Sequence, residues 1–160
     1  YPLLNASMDD RTSEIILKKY YNIGIAVDTA EGLIVPVLKD ADHKTLFQLA
    51  TEIDDLSKRA REGELKIEDI RGGTFTITNI GSVGGLMGTP MVNYPEAAIL
   101  APFKIQKRPI VVDGEVRLRD MTYLSLSFDH RILDGAMAAR FMNELIATLA
   151  DRQQLLSRIE

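Results

Sequence analysis

The sequence predicts an α+β domain, and three observations carry that expectation. Short apolar and β-branched runs recur along the chain. Two stretches repeat their apolar residues at three- and four-residue steps. Strand and helix patterns follow one another without the regular βαβ alternation of a doubly wound sheet. At 160 residues the chain is one domain's worth, long enough to bury a real core.

Residues 1–10 read as coil running into an Asp9-Asp10 turn. Residues 14–18 are short and β-branched and read as a strand. Residues 22–28 form a second strand, apolar at nearly every position, broken by Ala30-Glu31-Gly32 and resumed over residues 32–38. Pro36 inside that last run points to an edge strand or a bulge. Residues 45–61 give the clearest amphipathic helix, with Leu46, Leu49, Ala50, Ile53, Leu56 and Ala60 on one face. Thr45 with Gln48 makes a capping box at its start, and Gly63 ends it. His43, just upstream among Asp40, Asp42 and Lys44, reads as solvated and inert.

Residues 74–78 are β-branched or aromatic and read as a strand. Gly81, Gly84 and Gly85 follow in a loop that fits neither the dinucleotide fingerprint nor the phosphate loop with its lysine. Glycines here are expected to let the backbone approach a ligand or a neighbouring chain. Residues 97–101, 105–112 and 115–128 read as strands, with Asp113-Gly114 as a hairpin signal between the last two. Residues 136–150 read as a helix with Ala138, Phe141, Leu145 and Leu149 on one face, and residues 151–160 form a charged tail.

Composition narrows the function. Net charge is -4 and no basic patch stands out, which argues against nucleic acid as a main partner. The absence of cysteine excludes a disulfide framework, a cysteine metal site and a catalytic thiol. No metal site is expected. No apolar run is long enough to span a bilayer, so no membrane partner is expected, and no signal peptide opens the chain. It begins at Tyr1 without a Met and reads as a fragment or a processed piece.

The stretch from Ser127 to Gly135 draws the chemistry together. His130 follows an apolar run and precedes a helix pattern, with Asp129 and Asp134 as neighbouring carboxylates and Arg131 beside it. Imidazole titrates nearest neutrality and can take and return a proton. A histidine after a strand is also an ordinary polar turn residue, and Asp134 stands where an Asp caps a helix. Both readings fit the local chemistry.

Asp129-His130-Arg131-x-x-Asp134-Gly135 resembles the DHRxxDG signature of the dihydrolipoamide acyltransferase (E2) family of 2-oxo acid dehydrogenase complexes. Its looser form, HxxxDG, is shared with chloramphenicol acetyltransferase. The likeness extends along the chain, through Asn22 to Thr29, the Gly32–Asp42 stretch, the Gly72–Gly85 stretch and Val92 to Leu100. It implies a chloramphenicol-acetyltransferase-like mixed sheet with packing helices. Residues 1–160 would then be an acyltransferase catalytic domain, partial at its N-terminal side. The implied reaction is acyl transfer between dihydrolipoamide and coenzyme A, with His130 as general base. Matched residue by residue, the family's oxyanion-binding serine falls on Thr78, whose hydroxyl can also donate. Asp134 is assigned to ordering the turn and the helix start, and Asp129 with Arg131 to a local brace.

The resemblance further implies coenzyme A as substrate and a lipoyl group carried on a separate domain absent from this chain. It implies a homotrimer, extending to a larger shell in some members, with Thr78 and His130 meeting partners across a subunit interface. The E1 and E3 components would dock through regions absent here. The implied location is the cytoplasm, with the mitochondrial matrix as alternative. Two other functions stay open: a non-catalytic structural core, and an acetyltransferase acting on a small alcohol. A serine hydrolase fits less well, since the G-x-S-x-G elbow is missing.

Overall fold

The computed structural model describes residues 1–151, 153 and 155; most of the charged tail lies outside them. The chain opens with a 3₁₀ turn, Pro2–Asn5, and a hairpin of β1 (Ala6–Asp9) and β2 (Glu14–Leu17), Ala6 opposite Leu17. This corrects the coil expected over residues 1–10. Ala-Ser-Met-Asp carries no β-branched residue, so local preference gives no strand signal. Pairing with β2 and burial of Ala6 make the strand instead.

One long hairpin follows, as β3 (Ile23–Ile25), β4 (Val27–Thr29), β5 (Gly32–Ile34) and β6 (Val37–Leu38). Its register is constant, Ile23 opposite Leu38 and Val27 opposite Ile34. The two runs expected as continuous strands are each interrupted, at Ala26 and at Val35-Pro36. Pro36 has no N–H to give a ladder, and the Ala26 N–H donates instead to the Ile77 carbonyl at 2.9 Å. β6 is a sheet edge, a setting in which a strand tolerates proline.

Helix α1 (Leu46–Glu62) starts and stops as expected. The Thr45 hydroxyl accepts from the Gln48 N–H at 3.3 Å, Gln48 Oε1 accepts from the Thr45 N–H at 2.8 Å, and Gly63 takes φ 71°. Its face is buried at Leu56 and Ala60, against β4 and β6, but Leu46 and Ala50 are exposed.

The remaining elements are β7 (Phe75–Ile77), β8 (Ala98–Pro102), β9 (Gln106–Val112), β10 (Glu115–Met121), β11 (Leu124–Phe128) and α2 (Gly135–Ala150). Asp113 and Gly114 turn the β9–β10 hairpin with φ 53° and 81°, the positive pair that a two-residue hairpin turn demands. The strand expected over 115–128 divides at Thr122-Tyr123 because its halves take different partners, β10 pairing with β9 and β11 with β8. The Thr122 hydroxyl donates to the Phe103 carbonyl at 2.8 Å and fixes the change of direction.

The main sheet has the order β11-β8-β7-β3-β6. Its inner pairs, β7 with β8 and β3 with β7, are parallel; its outer pairs are antiparallel. One face packs Phe75, Ala98, Leu126 and Phe128 against Met137 and Phe141 of α2, with Leu4, Ala6, Ile132 and Leu133 completing the core. Among the described residues no helix is long and apolar enough to cross a membrane.

Within the glycine-rich loop, Gly81 approaches the backbone of its own chain closely. A Cβ at Gly81 would lie 2.4 Å from the Phe103 carbonyl carbon, which is backbone and cannot swing aside. At Gly88 the nearest atom is a Phe103 ring carbon at 3.4 Å. Gly81→Ala should therefore cost about 1–3 kcal/mol, at about 2–4 °C of melting temperature per kcal/mol, while Gly88→Ala melts close to wild type. Equal melting of the Gly81 variant and wild type would refute the close approach.

Candidate active site

The turn carrying His130 is pinned at both ends. Phe128 ends β11 opposite Ala98, and the Asp129 N–H donates to the Ala97 carbonyl at 2.8 Å. The Asp129 carbonyl accepts from the N–H groups of Ile132 and Leu133, both at 3.0 Å, and those two side chains are buried in the core. Asp134 then caps α2, its Oδ1 accepting from the Met137 N–H at 2.7 Å. His130 stands exposed between these anchors, its ring centroid 5.4 Å from that of Phe128.

Arg131 supplies the brace. Its Nε donates to Asp129 Oδ1 and Oδ2 at 3.0 and 3.1 Å, and Nη2 donates to Oδ2 at 2.7 Å. Its Nη1 reaches Asp10 Oδ1 at 2.7 Å, and the Tyr94 hydroxyl donates to Asp10 Oδ2 at 3.1 Å. Hydrogen bonds from the guanidinium hold the carboxyls of Asp129 and Asp10 below the usual carboxylate range. The two acids push Arg131 upward in turn, and Asp10 pushes up the Tyr94 phenol.

Thr78 follows β7, is nine-tenths buried, and donates its N–H to the Leu100 carbonyl at 2.9 Å. It opens on a cleft of about 760 Å³ whose lining includes Ile25, Asp28, Ser57, Arg61 and Asn79. Within one chain Thr78 and His130 stand apart. Ile77, Leu100 and Leu126 share a row across the sheet, so Thr78 lies level with Ser125. From Ser125 to the end of β11 is three residues, roughly 10 Å, and two strand spacings of about 4.8 Å separate β7 from β11. β11 runs against β7, so Thr78 lies where β11 begins and His130 where it leaves.

Sequence reasoning missed Asp10, Tyr94 and Glu96. Glu96 is buried, its Oε2 accepting from the Thr76 hydroxyl at 2.6 Å and its Oε1 from Asn93 Nδ2 at 3.2 Å. Its available signal was an acid set directly against the apolar run from Ala97 to Leu100. His43 is exposed, 3.5 Å from Asp42 Oδ2. Burial pushes the Glu96 carboxyl up, and the two hydrogen bonds only partly offset it. A carboxyl raised on folding binds its proton more tightly in the native state. The stability it contributes is full below the ordinary value of 4.5 and is lost as pH rises through the raised value. Glu96→Gln stays neutral. Relative to that variant, wild type should lose stability across the pH range that rises from the ordinary carboxyl value of 4.5 through the raised one. Denaturant melts whose difference is flat across that range would overturn the assignment.

A family model described as 2-oxoacid dehydrogenases acyltransferase (catalytic domain) matches residues 1–157. The dihydrolipoyllysine-residue acetyltransferase component of the pyruvate dehydrogenase complex of Bacillus subtilis is 49% identical over 156 residues, covering 98% of this chain and 35% of that protein. Its counterpart from Staphylococcus aureus is 48% identical over 156 residues, covering 98% and 36%. The chain thus spans about a third of the length of the curated relatives it matches. A solved structure of Azotobacter vinelandii dihydrolipoamide acetyltransferase, described as addressing a serine, a histidine and an asparagine in its catalytic mechanism, is 46% identical with a TM-score of 0.90. The match covers 96% of this chain and 64% of that one. The cubic core of the pyruvate dehydrogenase multienzyme complex superposes with the same figures. Chloramphenicol acetyltransferase, at 15% identity and TM-score 0.50 over 86% of this chain and 65% of that one, shares the fold. The α+β class and the mixed sheet expected from the sequence are both borne out.

Proposed function

The chain belongs to the acyltransferases of the 2-oxoacid dehydrogenases, in their catalytic domain, and from that premise we propose that it moves an acetyl group between dihydrolipoamide and coenzyme A. The observation that carries this reading is a matched spacing. In the Azotobacter acetyltransferase the serine precedes the histidine by 52 positions and the asparagine follows it by four. Thr78 precedes His130 by 52 positions and Asp134 follows it by four. A hydroxyl, an imidazole and a side-chain carbonyl oxygen recur at the same intervals.

The chemistry follows from those groups. A free thiol, with a pKa of about 8.5, is mostly protonated at neutral pH. His130 takes the proton as the sulfur attacks the thioester carbonyl, a contribution of typically ~10²–10⁴-fold. The carbonyl oxygen becomes an oxyanion, and the Thr78 hydroxyl donates to it. Collapse expels the second thiol, which recovers the proton from His130. Asp134 holds the start of α2 and so fixes the turn. Arg61, Ser57 and Asn79 give the cleft beside Thr78 the cation and polar groups suited to a phosphate- and amide-bearing substrate. The lipoyl group is the second substrate, brought on a separate domain.

The site is shared between copies of the chain. Thr78 and His130 lie at opposite ends of one sheet, and the relative that forms a cubic core supports assembly. We assign a homotrimer as the smallest complete unit, built in some relatives into a larger shell. The E1 and E3 components dock elsewhere on the whole protein.

His130→Ala in the assembled acyltransferase should lower kcat by roughly 10²–10⁴ with KM little changed. A loss below about tenfold with assembly intact removes the general-base role. Thr78→Val keeps shape and removes the donor, and should lose about 10²–10³ in kcat; Thr78→Ser should stay active. Unfolding the His130→Ala and Thr78→Val proteins together and refolding them creates interfaces that pair an intact His130 with an intact Thr78. Activity should reappear in that mixture. Mixed oligomers that recover nothing place the two groups in unrelated sites.

A further inference from the structure

We propose that Asp10 and Tyr94 are positioning residues for His130, acting through Arg131; the proposal rests on the general-base role assigned above. Three segments far apart in the chain are linked in one network, Arg131 to Asp10 and Asp10 to Tyr94. Asp129 and Arg131 flank His130 directly. Asp10 stands at the tip of the β1–β2 hairpin, 121 residues before Arg131, and Tyr94 lies 84 residues beyond Asp10. Arg131 divides its donors between the two acids. Nε and Nη2 grip Asp129, and Nη1, at 2.7 Å, holds Asp10 Oδ1. Asp10 Oδ2 is left for the Tyr94 hydroxyl. The planar fork of Arg suits this double engagement, and a lysine cannot reproduce it.

The network has a direction. The base of the β1–β2 hairpin is fixed, with Leu4 and Ala6 in the core and Asn5 Nδ2 donating to the Lys18 and Tyr20 carbonyls at 3.2 and 2.9 Å. Its tip is folded by the Ser13 N–H donating to the Asp9 carbonyl at 2.8 Å and the Arg11 N–H to Asp9 Oδ1 at 2.9 Å. Asp10 is therefore a carboxylate held out from a rigid base. The loop bearing Tyr94 runs straight through Glu96 and Ala97 into β8, and the Ala97 carbonyl already holds the Asp129 N–H. The turn is tied to β8 through its backbone and to the hairpin tip through its side chain. With Asp10 neutralised, Arg131 keeps Asp129 as its one acidic partner among the described residues, a partner on the same turn, and the second tie is gone. Asp129 and Asp10 also repel one another, so the cation between them sets their separation.

A general base acts only within hydrogen-bond reach of the proton it takes, and a displacement of about 1 Å can cost ~10²-fold. Asp10 is placed to move His130, not to touch substrate. The test uses the assembled acyltransferase with coenzyme A and dihydrolipoamide. Asp10→Asn should lower kcat about tenfold to a hundredfold and leave KM for coenzyme A and the melting temperature near wild type. Asp10→Glu, which keeps the carboxylate, should recover most of the loss. Tyr94→Phe should lower kcat by a smaller factor, and in the Asp10→Asn background it should add nothing, since its hydroxyl then has no carboxylate to steady. His130→Ala runs in parallel. An inactive His130→Ala beside an unimpaired Asp10→Asn overturns the positioning role alone. So does a kcat loss in Asp10→Asn that Asp10→Glu shares in full. A fall in kcat that only mirrors lost assembly or a lowered melting temperature also overturns it. A His130→Ala protein with near-wild-type kcat overturns the general-base assignment instead.

Discussion

The two ladders on β8 set the placement of every group at the site. Ala98 and Ala101 in β8, and Ala97 just before it, are wholly buried, at 0% exposure. Their small side chains let a strand on either side and the core below approach together. One neighbour, β7, is parallel and the other, β11, antiparallel. Thr78 leaves one end of the sheet and His130 the other. No side-chain rotation closes a gap of roughly 10 Å along the strands. Under the proposed mechanism a reaction needing both groups draws one from another chain, so the direction of the two strand pairings fits the proposed oligomer.

What was legible in the sequence was local. The Thr45–Gln48 capping box, the Gly63 stop, the Asp113-Gly114 hairpin turn and the Asp134 cap each depend on residues within a few positions of one another. Thr45 bonds to a neighbour three positions away, and so does Asp134. The illegible features depend on distant partners. β1 exists because β2 pairs with it. The run from 115 to 128 divides because its two halves pair with different strands, and nothing at Thr122 announces the change. Arg131 reads as a brace for Asp129 from the sequence because the two are adjacent. Its bond to Asp10 spans 121 residues and leaves no local mark.

Amphipathic pattern overstated burial at the start of α1, and the β9–β10 hairpin leaves apolar side chains open as well. Leu46 is 58% exposed and Phe47 80% at the start of α1. Val111, Val116 and Leu118 on the β9–β10 hairpin are similarly open. A hairpin that among the described residues forms a sheet of its own two strands and carries these side chains outward has apolar surface to cover. Under the proposed assembly, the pattern reads burial in the oligomer, and a single chain leaves part of it unmet.

Glu96 and Arg131 resolve charge in opposite ways. Glu96 is taken from water with two neutral donors and no cation, so its charged form is disfavoured and its carboxyl rises. Arg131 stays about half in solvent, where its own charge needs no neutralisation, and is paired with two acids. An isolated surface ion pair would order little. This one is bidentate to Asp129 and joined to Asp10, the circumstance in which exposed charges do fix geometry. The arrangement suits the general-base role proposed for His130. Burying the turn would hold His130 still but would cut it off from substrate and penalise its charged form. Bracing its flanking residues from outside the core keeps the backbone fixed and the imidazole open.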